Sequence, residues 1–146
     1  MSRDNTVSCA SCHESRLAFS DRRKLAVGID GQVGTRNTQA IIGVDHWQSF
    51  FWDGRAKTAT EQALMPIENP IEMGTSVDLV LNKVNSADDY KSPIFHAFGK
   101  EALNKELLAL ALGLCARGLA YVEYVCGRNT LFCGSVIRYG FYGASV

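Results

Sequence analysis

The chain has 146 residues, 47% of them hydrophobic, with 15 basic and 15 acidic side chains. That length supports one domain with a modest core. The balanced charge excludes the basic footprint of a nucleic-acid or polyanion binder.

Near the amino end stands Cys9-Ala10-Ser11-Cys12-His13. A Cys-x-x-Cys-His run reads as the covalent attachment site of a c-type haem, one per chain here. The two thiols add to the haem vinyl groups, and His13 ligates the iron from the proximal side. One helical turn brings both sulfurs to one face. A redox dithiol and half of a zinc site are the alternatives. A redox pair sits beside a βαβ pattern, which this sequence lacks. A zinc site needs a second close pair, and Cys115, Cys126 and Cys133 are not spaced as one; on the haem reading they have no assigned role. Asn5, Thr6 and Ser8 are candidate caps of the motif helix, and Leu17 and Phe19 are expected at the haem edge. Residues 1–5 lead almost directly into the motif without the apolar stretch of a signal peptide, so the expectation is a chain lacking an original N-terminal segment.

Residues 20–40 read as an irregular loop, with Gly28, Gly31 and Gly34 at intervals of three. Glycine there permits positive φ and close backbone approach. Arg22, Arg23, Lys24 and Arg36 are either a solvated basic surface or partners for haem propionates, with Arg36 the best candidate. In residues 41–56, Trp47, Phe50, Phe51 and Trp52 form a dense aromatic run, mostly core. Trp52 precedes the Asp53-Gly54 turn signal and could relay electrons from a nearby haem.

Thr58-Ala59-Thr60-Glu61 matches a capping box and starts a helix that Pro66 is expected to end. Residues 67–74 form a Pro- and Gly-bounded loop. Ser76 caps a helix through Val84. Pro93 suits the first turn of another, closed by Gly99. Residues 105–125 read as a long helix, apolar nearly all round and therefore buried. Arg117, Glu123, Gly113 and Gly118 argue against a membrane span. From Cys126 onward no period is visible.

Residues 5 to about 108 resemble the first haem domain of bacterial di-haem cytochrome c peroxidases. The resemblance rests on Thr6-Val-Ser-Cys-Ala-Ser-Cys-His13, Ala18-Phe-Ser-Asp21, Val27-Gly-Ile-Asp-Gly31 and Gly34-Thr-Arg-Asn37. It continues through Phe51-Trp-Asp-Gly-Arg-Ala56, Gln62-Ala63 and Pro66-Ile-Glu-Asn-Pro-Ile-Glu-Met73. The ordered set, above all Phe-Trp-Asp-Gly-Arg-Ala followed by Gln-Ala and Glu-Met, is specific. It implies an all-α, cytochrome c-like haem domain with long irregular loops at residues 1–108, followed by a divergent or truncated segment at 109–146. It also implies the peroxide-reacting haem of the pair, hydrogen peroxide as substrate, a small donor protein (cytochrome c or cupredoxin), a periplasmic location and a possible homodimer. At matching positions Gln62 orients peroxide, Glu72 is the general acid/base, and Trp52 lies on the path between haems. The sequence departs from the family in lacking a second Cys-x-x-Cys-His. The family's distal-histidine position falls on Ile29 or its neighbours, and the cysteine-rich tail after about Leu112 suggests a frameshift or truncation. The other readings are a mono-haem electron carrier, with Met65, Met73, His46 or His96 closing the sixth position, and an inactive fragment.

Overall fold

The computed structural model describes residues 1–120. Cys126, Cys133 and the expected continuation of the last helix to residue 125 lie outside the described residues. Among those described there are four α-helices and no strand, so the all-α expectation holds. The first 58 residues are loops and single 3₁₀ turns, pinned by isolated antiparallel bridges at Glu14–Ser20, Val27–Val33 and Phe50–Ala56.

Helix α1 spans Ala59–Glu68, with Thr58 as its N-cap. Thr58 Oγ1 accepts from Glu61 N–H at 3.0 Å, while the Glu61 carboxylate accepts from Lys57 N–H at 2.8 Å. The reciprocal arm of the box thus reaches one residue further back than the usual pattern. Pro66 does not end the helix; it lies inside it. Its missing N–H deprives only the Gln62 carbonyl, and Asn69 N–H then closes on Met65 O at 3.0 Å.

Helix α2 spans Val77–Ser86, with Ser76 Oγ accepting from Leu79 N–H at 3.2 Å. Helix α3 spans Asp88–Phe98 and ends on Gly99 at φ 62°, the left-handed close that glycine favours. Its start is earlier than expected, because Pro93 sits mid-helix rather than in the first turn. Pro93 has no N–H to give the Asp89 carbonyl four residues back, in the first turn.

Helix α4 is described over Lys105–Ala120. It is not buried all round. Leu108, Ala109, Ala111 and Cys115 are buried, whereas Leu110 and Leu114 are 40% and 52% exposed. The reason is packing on one side against α1. At Gly113 a Cβ would lie 3.1 Å from the backbone nitrogen of Thr60, so the two helices nearly touch there. Arg117 holds the far end to Asp45 at 2.6 Å. No helix among the described residues is long and apolar enough to cross a membrane.

One core cluster joins the helices through Ile67, Met73, Val77, Val80, Ile94, Leu103 and Leu108. A second, of Val44, Phe50, Ala56 and Ala59, is packed by Ile41, Trp47 and Phe51. Three rings of the aromatic run therefore pack in or against the core, as expected. Trp52 does not; it is 57% exposed.

Candidate functional site

The motif begins at a 3₁₀ turn, Cys9–Ser11. Ser8 N–H donates to Ser11 Oγ at 3.0 Å, which sets the entry angle. Cys12 N–H and His13 N–H both donate to Cys9 O, at 3.2 and 2.8 Å, so the two cysteines lie one turn apart. Both carry free thiols. Burial pushes the Cys9 thiol up to about 11 and raises that of Cys12 as well. Thiols of that kind are protonated at neutral pH, unlike the activated thiolate of a redox dithiol. Among the described residues no group of three or more His, Cys, Asp or Glu could hold a metal ion.

His13 is oriented by the backbone. Its Nδ1 lies 2.7 Å from Phe19 O. Burial draws its pKa below the ordinary 6.5, so the ring is neutral at pH 7. A neutral ring donating from Nδ1 keeps its lone pair on Nε2, the arrangement a ligating histidine requires. Phe19 takes a left-handed φ of 56° to present that carbonyl, at a cost of roughly 1–2 kcal/mol for a residue with a Cβ. The Phe19 ring was expected at the haem edge together with Leu17. Neither residue lines the cavity; Phe19 acts through its main chain.

Cys9, Cys12, His13, Arg36, Trp52, Gln62 and Glu72 all line one cavity of about 480 Å³. Residues expected at seven scattered positions thus converge on a space of the size that ligand pockets take. Ala26, Val27, Ala63, Pro66 and Leu112 add apolar wall. Gln62 and Pro66 stand four residues apart on α1, one turn along the same face. Trp52 is held at its turn by donating Nε1–H to Asn37 O at 2.8 Å.

The arginines divide. Arg22 pairs with Glu14, and Arg23 pairs with Asp21 while donating to Ser11 O at 2.8 Å. They serve the loop. Arg36 lines the cavity, is exposed, and makes no ion pair among the described residues. Of the candidate sixth ligands, Met73 lines the cavity and Met65, His46 and His96 do not.

Glu72 is half-buried, and burial raises its carboxyl above the ordinary 4.5. Asn69 Nδ2 donates to its Oε1 at 2.7 Å and opposes that rise, as does the nearby charge of Arg55. Sequence reasoning missed Arg55 and Asn69 as site residues, although both stand inside the motifs quoted above. Arg55 lines the cavity with its guanidinium carbon 3.5 Å from the Phe51 ring centroid and Nη1 2.9 Å from Asp53. An arginine four residues after an aromatic, across a Gly turn, was the signal available.

A family profile described as "Di-haem cytochrome c peroxidase" matches residues 1–121. The chain belongs to the di-haem cytochrome c peroxidase family. It is 40% identical over 102 residues to the methylamine utilization protein MauG of Methylorubrum extorquens, covering 69% of this chain and 29% of that one. It is 33% identical over 114 residues to the cytochrome c551 peroxidase of Pseudomonas aeruginosa, covering 77% and 33%. A solved MauG-like protein associated with microbial copper homeostasis aligns with a TM-score of 0.67 at 27% identity, covering 81% of this chain and 36% of that one. The chain therefore spans about a third of the length of these relatives. Membership makes this a member of a haem family. The donor set fits that group: two free thiols one turn apart, an imidazole with Nε2 available, an apolar cavity wall, and a guanidinium, Arg36, on that wall.

Proposed function

We propose that the chain is the peroxide-reacting haem unit of such an enzyme, reducing hydrogen peroxide to water with electrons from a cytochrome c or cupredoxin donor. The observation that carries the reading is the convergence of Cys9, Cys12, His13, Gln62 and Glu72 on one cavity. Cys9 and Cys12 would hold one haem c covalently, His13 Nε2 would ligate its iron, and Arg36 would pair with a propionate. Residues 1–108 are the unit to which these roles are assigned. Family resemblance supports a periplasmic location and leaves room for a homodimer.

When bound, the haem would relay the donor's electrons and supply the Lewis acidity for cleaving the O–O bond. The protein's own residues handle the protons. Gln62, on α1, orients peroxide by hydrogen bonding. Glu72 takes a proton at Oε2 from one peroxide oxygen and returns it to the other, so that water leaves. A carboxyl raised by burial suits that exchange, because its carboxylate is a stronger base than that of an exposed glutamate. Asn69 holds Oε1 and so directs Oε2 to the substrate. Trp52, exposed and hydrogen-bonded at the cavity edge, would pass electrons.

The test is peroxide consumption by haem-loaded protein with a reduced donor. Turnover that vanishes in Glu72→Gln while the Soret band is unchanged supports the assignment; unchanged turnover removes Glu72 from the mechanism. Met73 on the cavity wall favours the mono-haem electron-carrier reading as second choice. A low-spin ferric spectrum unaltered by peroxide would select it.

A further inference from the structure

Gly28 stands in extended backbone, φ −103° and ψ −150°, which any residue can adopt. Space, not torsion, excludes a side chain there. A Cβ would lie 1.9 Å from Ile71 O, 2.6 Å from Glu72 O and 2.7 Å from Glu72 Cα. All three are main-chain atoms, which cannot rotate away.

The contact continues as hydrogen bonds. Ile29 N–H donates to Glu72 O at 2.9 Å, and Gln32 Nε2 donates to Pro70 O at 3.2 Å. The 28–32 segment is itself closed, with Gly28 N–H on Gln32 O at 2.9 Å and Gln32 N–H on Ile29 O at 3.0 Å. Its Ile29 side chain is fully buried and anchors the segment from below. Arg3 N–H reaches the same loop from the other side, donating to Met73 O at 3.0 Å. The loop is thus held through the main-chain carbonyls of Pro70, Glu72 and Met73, with Ile71 O close against Gly28, so none of these contacts uses the Glu72 carboxyl. That carboxyl faces Arg55 and Cys12, with Asn69 bound to Oε1.

We propose that the 28–32 knuckle is the positioning element for Glu72, with Gly28, Ile29 and Gln32 as positioning residues that fix where the carboxyl points. This rests on the reading of Glu72 as the group that moves the peroxide proton. Residues that never touch substrate would then control the rate, because a displacement near 1 Å at a proton-moving group lowers turnover by up to about a hundredfold.

The test uses haem-loaded protein in three variants. Gly28→Ala inserts the forbidden methyl. Val33→Ala, at a side chain that is 57% exposed and does not line the cavity, is the control on the same loop. Gln32→Ala removes one side-chain bond without crowding the backbone. Three readouts apply: hydrogen–deuterium exchange of the 69–74 peptide, kcat and KM for peroxide, and the Soret band. The expected result is faster exchange of that peptide and a lower kcat at unchanged KM and Soret in Gly28→Ala, weaker changes in Gln32→Ala, and none in Val33→Ala. If Gly28→Ala does not fold, Gln32→Ala decides. Exchange and kcat indistinguishable from wild type in whichever variant decides would overturn the proposal. If the exchange changes appear but Glu72→Gln turns over normally, the catalytic reading has failed and the knuckle merely anchors the loop.

Discussion

At the scale of single residues, two half-buried polar groups decide the chemistry, and burial and hydrogen bonding set the environment of each. His13 is neutral and aimed because burial and the Phe19 carbonyl act together. Glu72 holds a proton longer than an exposed glutamate because burial outweighs Asn69 and Arg55. That has a consequence for stability. Above the ordinary 4.5 the unfolded chain has released the Glu72 proton while the folded protein still binds it, so stability falls as pH rises through the raised folded value. Glu72→Gln removes that dependence. Thermal melts from acid to neutral pH should show wild type losing ground to Glu72→Gln as pH rises and then levelling; parallel curves would mean that Glu72 titrates normally. The motif itself was legible from Cys-x-x-Cys-His spacing, since ligand identity is local. The Phe19 contribution was not, because a main-chain carbonyl has no sequence signature and a left-handed φ at an aromatic runs against propensity.

At the scale of elements, caps were readable and prolines misled. Thr58, Ser76 and Gly99 mark ends correctly because short-range hydrogen bonds and torsions decide them. Pro66 and Pro93 were read as boundaries, yet each helix forgoes a single backbone bond and is repaid by packing of Ile67 and Ile94 in the core. Helix α4, expected to be buried all round, leaves one side exposed. Its leucines look alike in sequence, and only the close approach at Gly113 decides which side is buried. Two substitutions test these elements. Thr58→Ala should lower stability by about 1 kcal/mol, read as a lower denaturation midpoint, by exposing the first turn of the helix that carries Gln62. Gly113→Ala sets a helix-propensity gain of about 1 kcal/mol against overpacking of about 1–3 kcal/mol. The clash should win, because the atoms met include Thr60 backbone; a higher midpoint would show that α1 and α4 can separate without loss.

At the scale of the whole molecule, the chain covers about a third of its relatives and carries one Cys-x-x-Cys-His. Reduction of one peroxide to two waters consumes two electrons and two protons, and one haem iron gives up one electron between its ferrous and ferric states. Steady turnover by this chain should therefore scale with the concentration of added reduced donor. Turnover that ignores the donor would contradict the electron accounting. Resemblance extended the reading to this scale, where composition and periodicity are silent, since a balanced charge and an ordinary hydrophobic content fit many functions.

The most direct measurement is the mass and optical spectrum of protein made with haem-maturation machinery. The account predicts a denaturation-resistant mass increase of one haem, a Soret band, and loss of both in a Cys9→Ala, Cys12→Ala double variant. The bare polypeptide mass with no Soret band would contradict it.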